Sequence, residues 1–524
     1  LQISAGDTGW ILVCCSLVLL MTPALAFFYG GMVRRKNVLS TLTLSYIFMS
    51  LIGVQWVLFG YSLSFGPDIG GLIGGLDYIG FQGVGAEPNA AYSRTIPHEL
   101  FAAFQMMFAV ITPALITGAF VERVKFKSFL MFSLLWATLV YNPLCHWVWG
   151  QGGWLKQMGV LDFAGGTVVH IAAGFSALAF ALVIGPRKGH GSVPMEPNNI
   201  PLTVLGTGLL WVGWFGFNAG SALAANGVAV NALVTTNTSA AAAGLVWMLL
   251  SWLDGRPSTL GIATGMVVGL AAVTPASGFV TPLAAMVIGA VSAPLAYYAI
   301  RFRERRKLDE SLDVWACHGM GSTWGTVATG LFATVAVNAD GANGMFFGNA
   351  GQLAIQITAV LVTILFSFGM TYILAKVLHV SIGLRVSPME EEVSLYDLFE
   401  VLSRRKKLMW GIFLLVVVLG VLYAGYVRYS PKDYEASAII MVNPVGLTGI
   451  VQSKDAYENL LNATVPYPQF TNETYLTMAT SFMVIDKLIE YMDLSDDYTV
   501  QGLRKKLKAE YTDKTSLMRL TVKD

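Results

Sequence analysis

The chain predicts an all-α polytopic membrane protein, and three observations carry that fold class. Of its 524 residues, 55% are hydrophobic and 12% charged, whereas soluble domains carry roughly 25% charged residues. The apolar residues fall into repeated runs long enough to cross a bilayer, which takes about 20 residues of helix. Basic residues alternate from loop to loop, as insertion with a fixed sidedness requires. The formal net charge of +1 argues against a nucleic-acid partner.

Taken in order, the apolar runs place eleven helices near 8–32, 38–65, 98–121, 128–149, 162–185, 200–222, 227–252, 258–274, 280–300, 313–335 and 349–378. Loops after odd-numbered spans carry Arg34, Arg35 and Lys36, then Arg123, Lys125 and Lys127, then Arg187 and Lys188, then Arg256, then Arg301, Arg303, Arg305, Arg306 and Lys307. Loops after even-numbered spans hold Arg94, Lys156 and little else. The N-terminus is therefore expected outside and the end of span eleven in the cytoplasm. A short polar stretch without a cleavable signal opens the chain, which reads as a processed or trimmed N-terminus. Cys14, Cys15, Cys145 and Cys317 lie in or beside spans without metal-ligand spacing and read as small core residues. The 54 glycines suit close helix packing.

Spans one to five and six to ten form two sets, and an odd number per set inverts the second relative to the first. Corresponding spans five and ten each carry an aspartate followed by a histidine: Asp162 with His170, and Asp313 with His318. Ionisable side chains inside lipid are costly and normally face a bundle interior or water path. Inverted repeats with a site at their interface are a recurring transporter plan. A lone membrane histidine is more often a packing residue bonded to a carbonyl; two in corresponding places favour a pore handling a proton-bearing small molecule. A metal or haem site fails for want of ligands, and no cofactor is expected. Asp162 lies eight residues before His170, about 12 Å along a helix, so both aspartates read as capping or scaffold residues. Asp162 has a second reading as an electrostatic aid to cation arrival. His98, His146, His190 and His379 lie near span ends or in loops and are given no role.

Several blocks together resemble the ammonium transporter (Amt/Mep/Rh) family, in its bacterial branch: GDTGW at 6–10, FFYGGMVRRKN at 27–37, FQMMF at 104–108, DFAGGTVVH at 162–170, GWFGFNAGS at 213–221, VTPASG at 273–278 and the Asp313 to His318-Gly319 stretch. The resemblance covers about residues 5–387. It implies an eleven-helix subunit, a homotrimer and a pore through each subunit, in a bacterial cytoplasmic membrane. It puts an outer recruitment site on Phe104, Phe108, Trp149 and Ser221, a gate of stacked rings on Phe108 and Phe217, and twin pore histidines on His170 and His318. Asp162 falls near the outer mouth, with Asp313 as its counterpart in the second set.

The chemistry suits those residue types. Ammonium and potassium ions are nearly equal in size, but ammonium donates directional hydrogen bonds and can lose a proton. Ring faces attract a cation by about 0.5–2 kcal/mol each, and a serine oxygen accepts one N–H. Past the gate a bare cation would pay heavily for desolvation; losing the proton removes that cost. Paired neutral imidazoles then steer ammonia, relay the proton, or both.

Beyond Ser387 the composition changes. A linker at 388–407 holds an amphipathic stretch at 395–402 and the basic Arg404, Arg405, Lys406 and Lys407, which should lie against anionic lipid headgroups. Residues 408–427 form a twelfth candidate span, and 428–524 an extracytoplasmic α/β domain with strands near 436–442 and 517–522 and a helix near 482–492. VSLYDLFEVLSRRKK at 393–407 and YEASAII at 434–440 resemble the N-terminal part of the polysaccharide co-polymerase (chain-length determinant, Wzz-like) family. That family's second span is missing, so the domain reads as cut short at Asp524, in a natural or engineered fusion. With the tail replaced, docking of a PII-type regulator in the usual way is not expected. The expected function is ammonium transport, not an enzyme activity, with ammonium sensing through the fused domain as the alternative; a membrane redox protein is disfavoured for want of further ligands.

Overall fold

A computed structural model of the chain describes residues 2–386, 435–441, 477–491, 499–511 and 517–523, with isolated positions 414 and 418. By its contacts the chain divides into two units, Leu1–Ser394 and Leu395–Asp524.

The first unit is a helical bundle. Among the described residues nine helices are long and apolar enough to cross a membrane. Thr259–Val273 and the pair Trp315–Met320 with Gly321–Phe332 are shorter and occupy the places of predicted spans eight and ten. Exposed Leu12, Leu39, Val54, Leu205, Leu249, Leu283 and Leu365 give the bundle an apolar exterior, which suits lipid rather than water. Inside, small residues let backbones approach. Helix Ala5–Met32 packs along Ile200–Gly220, where a Cβ at Gly206 would lie 2.4 Å from the Phe28 nitrogen and one at Gly213 2.3 Å from Met21. Glycine at those two places is what the close crossing requires.

Four helices contain π turns: Trp56–Gly60 and Ala137–Tyr141 lie within long helices, and Gly166–Ile171 and Trp315–Met320 stand at the starts of theirs. The last two hold His170 and His318. A π turn widens the helix and frees backbone from the regular ladder, a device common at functional sites.

At the end of the bundle holding Arg34 and Arg385, charged groups join loops that are far apart in sequence. Glu122 pairs with Arg34 at 2.8 Å and Arg187 at 3.3 Å. Asp309 pairs with Arg187 at 2.8 Å and Arg123 at 3.8 Å. Burial alone would raise the Asp309 carboxyl, but hydrogen bonds from Arg187 and the Arg123 charge hold it below the usual range. An isolated antiparallel bridge joins Val124 to Arg385, tying the segment after the last helix to the loop after the third.

In the second unit, strand Glu435–Met441 pairs antiparallel with Leu517–Lys523, which pairs on its other edge with Leu507–Tyr511. Helices Phe482–Tyr491 and Val500–Lys506 bury Ile485, Ile489 and Leu503 together. Two strands and one helix fall where the sequence places them. Helix Val500–Lys506 and strand Leu507–Tyr511 are additions to that expectation; both are short and charged, and neither carries a clear apolar period. The predicted linker at 388–407, its amphipathic stretch and the span at 408–427 lie outside the described residues, apart from the isolated positions.

Candidate functional site: a chain of cavities through the bundle

Three cavities lie in the first unit; Phe108 packed on Phe217 separates the first from the second, and the second and third share His318. The one on the side expected from the charge pattern to face out, called the outer cavity, measures about 310 Å3 and is lined by Phe108, Trp149, Asp162 and Ser221, with Gln105 and Lys156. Phe108 closes its floor by packing on Phe217, ring centres 4.2 Å apart. Phe217 in turn lines the middle cavity with His170, Trp214 and His318. His318 is shared with the inner cavity, where Tyr29, Asp313 and Cys317 appear.

The outer wall is set by hydrogen bonds. The Trp149 indole N–H donates to the Asp162 carbonyl at 2.9 Å, fixing its ring edge-on to Phe108. The Ser221 hydroxyl donates to the Phe217 carbonyl at 2.9 Å, leaving its oxygen lone pairs to accept. Phe104 departs from the expectation. It is fully buried, edge-on behind Phe108, and packs against Gly220 rather than lining the cavity. Gln105, one residue on, takes a place in the lining.

The two aspartates differ. The Asp162 carboxylate accepts from the N–H groups of Gly165 at 2.8 Å, Gly166 at 2.6 Å and Thr167 at 2.8 Å, and from the Thr167 hydroxyl. These are the donors freed where the helix bearing His170 begins. Asp313 does not cap its helix; of the capping and scaffold roles expected, its contacts suit the second. It has φ of +60° and accepts from Arg303 Nε at 2.8 Å. Glu310 instead accepts the Trp315 N–H at 3.2 Å, because the loop geometry brings its side chain, not that of Asp313, under the helix start.

Between the outer and inner cavities the imidazoles of His170 and His318 lie nearly parallel, with Nδ1 to Nδ1 at 3.2 Å and ring planes 15° apart. A hydrogen bond there needs one N–H and one lone pair, so two neutral rings must adopt opposite tautomers. Trp214 stacks on His170 with centres 5.3 Å apart, and its indole is pinned by Thr274 at 2.9 Å. His170 Nε2 is buried with no protein partner among the described residues, a state that normally costs about 1–3 kcal/mol. The helices carrying the pair cross at Gly174 and Gly319, where a Cβ on Gly174 would lie 2.3 Å from the Gly319 nitrogen.

Other histidines have partners that the sequence does not reveal. His146 Nε2 lies 2.8 Å from Asp68 and its Nδ1 3.0 Å from the Ser64 carbonyl. His98 meets the Tyr61 hydroxyl at 2.5 Å. Both sets of partners come from the second span and its following loop, at separations no local motif encodes. Trp214 lies inside the GWFGFNAGS block at 213–221, three residues before Phe217, so helical spacing is its available signal.

A family model described as the Ammonium Transporter Family matches residues 9–400, and one for chain length determinant proteins matches 391–491. Ammonium transporter Amt1 of Archaeoglobus fulgidus is 52% identical over 392 residues, covering 75% of this chain and 97% of that protein. Among solved structures, Candida albicans Mep2 aligns with TM-score 0.71 at 34% identity, covering 76% of this chain and 90% of that one. A structure titled Sensor Amt Protein aligns with TM-score 0.68 at 31% identity, covering 74% and 96%. With cavities, packed rings and paired histidines on helices that match along nearly the whole length of these relatives, this chain belongs to the ammonium transporter family.

Proposed function

We propose that the chain carries ammonium across a bacterial cytoplasmic membrane as a homotrimer, each subunit with its own pore. Eleven spans form an inverted five-plus-five repeat and one more, with the N-terminus outside. In this reading ammonium settles against Trp149, Phe108 and Ser221, offering an N–H to the Ser221 oxygen. The proton departs as the molecule passes Phe108 and Phe217, and neutral ammonia crosses the apolar middle cavity along His170 and His318. A neutral molecule avoids the desolvation that stops potassium. His170 Nε2, buried and without a protein partner among the described residues, supports this reading as the atom that bonds it. The fused segment after residue 387 is read as a cytoplasmic linker, a twelfth span and an outer Wzz-like domain, and a PII-type protein is not expected to dock in the usual way.

The observation that carries the reading is the pair of stacked imidazoles between the aromatic gate and the inner cavity. A second reading, ammonium sensing, draws on the chain-length-determinant match that follows the transporter match and on the neighbour titled as a sensor. An ammonium pulse on proteoliposomes holding the purified protein separates them. Transport predicts a protein-dependent current or internal pH change that saturates with ammonium. A response equal to that of empty vesicles would leave sensing as the better account.

A further inference from the structure

We propose that Lys156 tunes cation affinity in the outer cavity by charge, weakening occupancy by ammonium and excluding divalent cations more strongly. The proposal rests on the reading of that cavity as the ammonium recruitment site. Lys156 stands on the short helix Trp154–Met158, half-buried, and its ammonium group donates to the Trp149 carbonyl at 3.0 Å. Its charged head is thus held beside the residue whose indole walls the cavity, and it lines the same space as Phe108 and Ser221. Among the described residues it is the single lysine or arginine in that lining, opposed by the carboxylates of Asp162 and Asp340.

The balance is lopsided in a useful way. Asp162 is engaged by backbone N–H groups of the following helix, which spreads its charge into the helix start. Asp340 is exposed on the opposing loop. A cavity of about 310 Å3 is roughly 8 Å across, so a wall charge acts within about 10 Å of any cation inside. In a wet cavity, one unit charge at that distance changes monovalent affinity by a factor of about two to ten, and the factor is squared for a divalent ion. A transported species must also leave, so a site that holds its cation loosely serves conduction.

The test compares Lys156→Gln, Lys156→Arg and Asp340→Asn in proteoliposomes, reading the half-saturating ammonium concentration and its inhibition by Mg2+. Glutamine keeps a donor for the Trp149 carbonyl but no charge; it should lower half-saturation about two- to ten-fold and sharpen Mg2+ inhibition. The difference should shrink as ionic strength rises. Arginine should resemble the parent, and Asp340→Asn should shift the opposite way. The same order should appear when tryptophan fluorescence is titrated with ammonium, a readout independent of transport. If Gln and Arg shift alike, or Gln not at all, in both readouts, Lys156 is a prop for the backbone and the proposal falls. A charge-dependent fluorescence order without any transport would overturn the transport reading and leave the Lys156 assignment standing.

Discussion

Adding one methyl group at Gly174 should separate the twin histidines. In Gly174→Ala the new Cβ would lie 2.3 Å from the Gly319 nitrogen and 2.4 Å from its Cα. Both are backbone atoms, which no rotamer change can move. Ordinary contact needs about 3.5 Å, so the two helices must part by about 1 Å. Gly174 is one turn beyond His170, and Gly319 adjoins His318. The same displacement carries the Nδ1 atoms from 3.2 Å to about 4 Å, beyond hydrogen-bond range. Overpacking of this kind costs about 1–3 kcal/mol, and the lost bond adds about 1 kcal/mol. Gly174→Ala should therefore lower the unfolding temperature in detergent and reduce ammonium flux in vesicles at equal protein content. Gly208→Ala is the control, because a Cβ there meets nothing within 4 Å. Unchanged flux and stability in Gly174→Ala would refute the argument that this crossing holds the histidines in register.

Trp149→Leu removes a ring face worth about 0.5–2 kcal/mol, so half-saturating ammonium should rise about two- to thirty-fold while trimer yield is unchanged. Ser221→Ala should shift affinity or potassium competition by a smaller factor, read in the same assay. Asp162→Ala strips the acceptor from at least three buried N–H groups; it should cost about 3 kcal/mol or more in stability, whereas Asp162→Asn, which keeps one oxygen, should cost less. Burial pushes the Glu310 carboxyl up, and the neighbouring Asp313 charge adds to it. A carboxyl raised in the folded state costs stability as pH climbs from its ordinary value towards the raised one. Glu310→Gln should accordingly stabilise the protein by on the order of 1–3 kcal/mol at pH 8 and have no effect at pH 4, measured by thermal unfolding.

The helical bundle is legible because lipid imposes an uninterrupted apolar run on each span, and span ends predicted at 8–32 and 349–378 meet Ala5–Met32 and Ala350–Ser381 within a few residues. The charge pattern and the repeated order of an aspartate before a histidine point to spans five and ten, because both are local. The π turns around His170 and His318 are not legible, since a single inserted residue barely alters apolar periodicity. Of the two roles expected of Asp313, capping and scaffold, capping is not seen, because sequence spacing cannot reveal a backbone at φ +60° or the claim of Arg303 on its carboxylate. Phe104 enters the expected site through a motif, and only packing against Gly220 shows that it supports Phe108 from behind. The partners of His98 and His146 lie 37 and 82 residues away, a distance at which one sequence alone is mute. Lys156 stands out as a departure from the charge rule, and its place in the outer cavity gives that departure a physical reading.

The most direct test of the central claim replaces both His170 and His318 with leucine and measures ammonium and potassium flux in proteoliposomes at matched protein content and verified trimer assembly. If the paired imidazoles conduct ammonia and keep the bare cation out, the double variant should lose normal ammonium flux or lose discrimination against potassium. Parent-like ammonium flux with unaltered potassium exclusion would contradict a pore built on these two histidines.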